Sequence, residues 1–211
     1  MADRFERKEG VEAILFDLGG VLVELGGVEQ MFDWTRGRMS REELWRRWLL
    51  SPGGRLFESG RIAPEEFAAR MVDEFDLPVT AEEYLGAFAE WVKAPYPGVM
   101  SLLEGLSKVC RLACMSNTNA MHWPRMRDHM GLGRFFERSF VSHETGLVKP
   151  DPEAFVHAVA GLGCPAGRIL YFDDSQMNTD AARAVGMLAH RVDGVEAIAA
   201  VLRSEGMVKD S

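Results

Sequence analysis

Five short apolar runs, each stopping at a polar or glycine-rich turn and separated from the next by a helical pattern, decide what this chain can build. They are residues 11–16, ending at Asp17 and the pair Gly19-Gly20; 109–115, ending at Ser116-Asn117-Thr118-Asn119; 139–141, leading into a loop with Gly146 and Lys149-Pro150; 169–172, stopping at Asp173-Asp174-Ser175; and 188–192. An unbroken apolar run suits a strand covered on both faces, and strands alternating with helices suit a parallel sheet. The expected fold class is α/β, a doubly wound parallel-sheet Rossmann-like core. With 211 residues, 47% of them hydrophobic, the chain can bury such a core.

Between the first and second runs the pattern turns helical. Within residues 41–50, Leu44, Trp45, Trp48 and Leu49 share one stripe. A second helix is expected over 64–75, with Pro64 in its first turn and Glu65-Glu66 near its positive end, and a third over 81–92. Ala94-Pro95-Tyr96-Pro97-Gly98 marks the return to the sheet. The expected division is therefore a core of residues 1–25 and 95–211 and a helical insert of residues 26–94. Trp34, Trp45, Trp48 and Trp91 read as the insert's own core, while Arg46 and Arg47 either reach a ligand or coat a solvated helix face. Further along, Asp151-Pro152-Glu153 supplies a helix start, which sets Lys149 just before it.

Composition removes several function classes. A net charge of −8 and a pI near 5.2 disfavour a nucleic-acid surface, which needs clustered lysine and arginine. Residues 1–10 are mostly charged and no run of about 18 apolar residues occurs, so a secretory signal and a membrane span are not expected and a cytoplasmic protein is. Cys110, Cys114 and Cys164 lack metal or redox spacing and read as small core residues. His122, His129, His143, His157 and His190 show no ligand spacing either; His122 alone follows a candidate site segment closely. Nothing in the sequence sets an oligomeric state.

Ligands of open α/β sheets bind beyond the carboxyl ends of the strands. Asp17, Ser116-Asn117, Lys149 and Asp173-Asp174 all stand there and would face one crevice. Each residue alone could be an ordinary turn former or cap; their convergence is the signal. Three carboxylates so placed repel unless a cation sits among them, and a hard ion that takes oxygen ligands and bridges to phosphate fits, namely magnesium.

These residues resemble the signature motifs of the haloacid dehalogenase-like hydrolase superfamily: Phe16-Asp17-Leu18-Gly19-Gly20-Val21-Leu22, Met115-Ser116-Asn117-Thr118, Lys149-Pro150-Asp151-Pro152, and Phe172-Asp173-Asp174-Ser175 with Asn178. The insert resembles that family's small α-helical cap, and Phe-Asp-Leu-Gly with Ser-Asn-Thr-Asn is most similar to the sugar-phosphatase-like branch, related to glucose-1-phosphate phosphatases. The resemblance implies a magnesium-dependent phosphatase acting on a small phosphorylated metabolite, with a sugar phosphate suggested by the branch. Asp17 would attack phosphorus, and Asp17, the Gly19 carbonyl and Asp174 would hold the metal, with Asp173 or Asn178 behind them. Ser116 and Asn117 would donate to phosphoryl oxygens, and Lys149 would act as a mobile point charge.

One position departs from the family pattern. Phosphatases of the superfamily usually carry an acid–base aspartate two residues after the nucleophile, where this chain has Gly19. Losing such a group costs about 100- to 10,000-fold in rate. A good leaving group, a proton from another residue or water, or a protein that binds phosphate without turnover would each account for the change. The rival chemistry is a metal-independent 2-haloacid dehalogenase-type hydrolase, which the Asp173-Asp174 pair disfavours by adding uncompensated charge beside Asp17.

Overall fold

A computed structural model describes residues 4–209. The apolar runs form one sheet of five strands: β1 (Ala13–Phe16), β2 (Arg111–Ser116), β3 (Arg138–Val141), β4 (Ile169–Asp173) and β5 (Leu188–Arg191). Their order is β3-β2-β1-β4-β5, and every neighbouring pair is parallel. Every residue of β1 and β4 is buried, as a strand covered on both faces requires. Because side chains alternate, Ile14, Phe16, Leu170 and Phe172 face α6 (Val99–Leu106) and α9 (Gly194–Ser204). Ala13, Leu15, Ile169 and Tyr171 face α7 (Pro152–Leu162) and the neighbouring α8 (Gln176–Ala184).

Register then positions the chemistry. Phe16 lies opposite both Cys114 and Phe172, so β1, β2 and β4 run out of apolar residues at nearly the same level. The Asp17 amide donates to the Phe172 carbonyl at 2.8 Å, which brings Asp17 beside Asp173 where the strand order reverses.

Residues between the first two strands form α1 (Gly27–Trp34), α2 (Arg41–Leu50), α3 (Pro52–Glu58), α4 (Pro64–Glu74) and α5 (Ala81–Ala89). The sequence pattern announces α2, α4 and α5 but not α1 or α3. Gly53-Gly54 lowers the helical signal of α3, which is started instead by Pro52 and by the Ser51 hydroxyl accepting from the Gly54 amide at 3.0 Å. The third expected helix stops at Ala89, because Val92–Pro95 pairs antiparallel with Val23–Leu25. That ribbon zips together the two crossings between sheet and helices.

The helices have their own core, in which Phe57 stacks on Phe67 at 4.2 Å and Tyr84 and Phe88 each meet Trp91 edge to face. Trp34, Trp48 and Trp91 join it as expected; Trp45 does not, and stands 39% exposed. Several contacts dock this layer on the sheet layer. Arg55 pairs with Asp151, Arg125 with Glu90 at 3.1 Å, and His122 Nε2 donates to the Phe88 carbonyl at 2.7 Å. At Gly60, whose φ is +71°, a Cβ would lie 2.5 Å from the His143 carbonyl oxygen, so only glycine permits that approach.

Candidate active site

Asp17 follows β1 directly and is 7% exposed. After it the chain turns tightly, with the amides of Leu22 and Val23 both donating to the Leu18 carbonyl at 2.8 Å. Gly20 adopts φ +76°, and a Cβ there would run into Asp174 Oδ2, so this glycine serves both the turn and the close approach to the second strand end. Asp17, Asp173 and Asp174 each present a carboxylate oxygen within 4.8 Å of the others.

The three carboxylates are not equivalent. Asp173 is fully buried and saturated: its Oδ1 accepts from the Ser175 amide at 2.8 Å and Asn178 Nδ2 at 2.9 Å, and its Oδ2 from Lys149 Nζ at 2.7 Å and the Tyr171 hydroxyl. Asp174 is half-buried and faces the cavity. Asn178, expected behind the metal ligands, stands behind Asp173.

Lys149 differs from its expectation as a mobile charge. It is 4% exposed, and Nζ donates to Asp173 Oδ2 at 2.7 Å and the Met115 carbonyl at 3.2 Å and forms an ion pair with Asp17 Oδ1 at 2.9 Å, so three partners fix it. Asn117 fixes its backbone, accepting from the Lys149 amide at 2.9 Å and donating to the Lys149 carbonyl at 3.0 Å. The amide group assigned to phosphate from sequence is thus engaged in holding the lysine. Ser116, 5% exposed, lines the cavity.

Charge balance at this spot is incomplete, with three carboxylates against one ammonium. Burial pushes Asp17 up to about 8, with Asp173 and Asp174 adding to the effect and Lys149 opposing it. Asp174 rises to about 6, again chiefly by burial and then by Asp173. Burial disfavours the Lys149 ammonium, yet Asp17 and Asp173 hold its pKa above the usual lysine value. Burial thus disfavours the ionised form of Asp17 that attack requires. The missing ingredient is positive charge, and a donor set made only of carboxylate oxygens suits a hard divalent ion rather than a thiophilic one.

Over these groups lies a cavity of about 210 Å³ roofed by α1, α2, α3 and α5. Its helical wall contributes Arg55 and Glu58, which the sequence motifs did not reveal because both sit on the glycine-masked α3. The pair Ser51-Pro52, a helix-start signal, was the clue available. Burial pushes Glu58 up to about 7, against the pull of Lys149 and Arg55. His122 also borders the cavity, but it is a docking pin: Nδ1 accepts from Asn119 Nδ2 at 3.3 Å, the ring stacks on Phe88, and burial lowers its pKa to about 4, leaving it neutral.

Comparison with known proteins gives three kinds of match. A family model described as haloacid dehalogenase-like hydrolase matches residues 11–186. A sesquiterpene phosphatase of Aspergillus oryzae is 26% identical over 190 residues, covering 87% of this chain and 91% of that one. A phosphoglycolate phosphatase of Pseudomonas savastanoi pv. phaseolicola is 33% identical over 93 residues, so the match spans 44% of this chain and only 34% of that enzyme. Among solved structures, a HAD family enzyme from Bacteroides thetaiotaomicron in complex with magnesium and inorganic phosphate shares the fold, with a TM-score of 0.69 at 23% identity over 86% of this chain and 93% of that one.

Proposed function

The chain belongs to the haloacid dehalogenase-like hydrolase family, and within it we propose a magnesium-dependent phosphatase in which Asp17 attacks the phosphorus of a small phosphomonoester. The observation that carries this reading is the buried Asp17 carboxylate, held at 2.9 Å by Lys149 and facing two more aspartates that a divalent ion would balance. Phosphatase-named relatives support it. Their named substrates differ in kind, so relatedness does not select one.

The Leu18 amide donates to Asp17 Oδ1 at 2.7 Å and Lys149 pairs with the same oxygen, which leaves Oδ2 as the attacking oxygen. Attack forms the Oδ2–P bond and breaks the ester P–O bond; water then hydrolyses the aspartyl-phosphate. Asp17, the Gly19 carbonyl and Asp174 would hold magnesium, with Asp173 orienting Lys149 behind them. When bound, the ion supplies the positive charge that keeps Asp17 ionised and offsets the phosphoryl oxygens. Lys149 supplies fixed charge to the same oxygens, Ser116 a hydroxyl donor, and Asn117 acts as a positioning residue through Lys149. Glu58 is the titratable group placed to protonate the leaving oxygen in place of the side chain that Gly19 lacks. Helices α1 to α5 act as the cap, residues 26–94, over a core of residues 1–25 and 95–211. Among the described residues no helix is long and apolar enough to cross a membrane, and we assign the protein to the cytoplasm, acting on a phosphorylated metabolite rather than on nucleic acid or lipid bilayer.

Phosphate release from a panel of monoesters tests the reading. Turnover should require magnesium, cease in EDTA and return on adding the metal. Halide release from 2-haloacids that persists in EDTA would instead establish the dehalogenase reaction. Tight phosphate or beryllofluoride binding with no turnover of any ester would indicate a binding protein.

A further inference from the structure

The floor of the cavity is charged, while its walls, Arg55 and Glu58 apart, are largely apolar. Among the described residues seven large hydrophobic side chains are exposed, and four of them, Leu25, Trp45, Leu49 and Met177, line this single cavity. Their exposures of 43%, 39%, 49% and 55% are costs a folded chain does not accumulate in one place without an occupant. Behind them Trp48 and Phe88 continue the apolar surface into the helical core.

Polar partners on the same wall are scarce. Arg55 is paired with Asp151, and both ring nitrogens of His122 are engaged by Phe88 and Asn119. Glu58 is the one remaining acid there. A hydroxyl-rich group entering this space would surrender its bonds to water and find few replacements. The apolar wall also reaches the nucleophile itself. A Cβ on Gly19 would lie 2.8 Å from Leu25 Cδ1, so the leucine fills the room that a side chain at position 19 would occupy. At about 210 Å³, the cavity is below the roughly 300–1,000 Å³ of sites for drug-sized ligands, which limits the leaving group to a small one.

We propose that the site takes a phosphomonoester of a short, hydroxyl-poor alcohol, whose apolar chain lies against Leu25, Trp45, Leu49 and Met177 while its phosphate sits on Asp17 and Lys149. This rests on the phosphatase reading and departs from a sugar phosphate as substrate. Binding is driven by burial of the chain, so affinity must grow with chain length until the space is full.

The test is steady-state hydrolysis, with magnesium present, of the n-alkyl phosphates from methyl to hexyl and of a hexitol phosphate of the same length as hexyl. KM should fall about fourfold per added methylene before reaching a plateau, and hexyl phosphate should exceed the hexitol ester at least about tenfold in kcat/KM. In Trp45→Ala and, separately, Leu49→Ala, the ratio of hexyl to methyl kcat/KM should shrink by about fivefold or more. Leu49 is half exposed, so its truncation tests the wall without touching the fold. Hydrolysis that is indifferent to chain length, or faster with the hexitol ester, would overturn the substrate class while leaving the phosphatase reading in place. No phosphate release from any ester would overturn that reading and this inference with it.

Discussion

The two walls of the cavity are built on opposite physical principles. On the sheet side the key buried groups are tied down: Lys149 by three partners, Asp173 by donors on both oxygens, Asn117 by the backbone it clasps. On the helical side most of the lining is large and apolar, and packing rather than hydrogen bonding sets where it stands. The difference separates reaction from selection. Strand register and buried charge fix what is done to phosphorus, and an aromatic bundle fixes what may be attached to it.

Substitutions that break this division rank by size. Lys149→Met should have the largest effect, since it leaves Asp17 and Asp173 buried without their partner. A loss of about 3–5 kcal/mol is expected for breaking a buried pair, lowering Tm by about 6–20 °C and abolishing measurable turnover. Trp45→Ala, on the opposite wall, should stay within about 0.5 kcal/mol of the parent in chemical denaturation. If the two lose stability equally, the contrast fails.

Next in size is Glu58→Gln, the one substitution on the helical wall expected to act on chemistry. It should lower kcat on alkyl phosphates by about 100-fold but scarcely affect an aryl phosphate whose leaving group departs without a proton. Gly19→Asp should partly restore the alkyl rate in that background, as Leu25 can swing aside. Equal losses on both esters would remove Glu58 from proton transfer.

Gly20→Ala follows. The φ of +76° makes alanine cost about 1–2 kcal/mol, and the new methyl displaces Asp174. The magnesium concentration for half-maximal activity should therefore rise while KM for the ester holds, and an unchanged metal requirement would separate Asp174 from the metal.

A last test reads stability against pH rather than a substitution. In protein stripped of divalent ions, Asp17 at about 8, Glu58 at about 7 and Asp174 at about 6 hold protons more tightly folded than unfolded. Stability from these groups is complete below about pH 4 and is lost as pH rises through about 8. Thermal melts should show Tm falling over that window, less steeply with magnesium present; a Tm that rises would reverse the sign assigned to burial.

The sheet side was legible in the sequence because apolar runs that stop at polar residues announce both a buried strand and its functional end. The helical side was not. Gly53-Gly54 concealed α3, and with it Arg55 and Glu58, while the stripe Leu44, Trp45, Trp48, Leu49 was visible as a helix without any sign that it borders a cavity. Periodicity tells which residues share a face, not what that face meets. The same limit explains Lys149: its partners Asp17, Met115 and Asp173 come from three strand ends, and only the assembled register shows that it is fixed.

The most direct test of Asp17 as a metal-supported nucleophile is to quench the enzyme in acid during turnover and locate the phosphoryl group by peptide mass spectrometry. That role predicts a phosphoryl adduct on Asp17 when magnesium is present, none in EDTA and none in Asp17→Asn. Steady turnover with no adduct on Asp17, or an adduct of equal yield in EDTA, would contradict it.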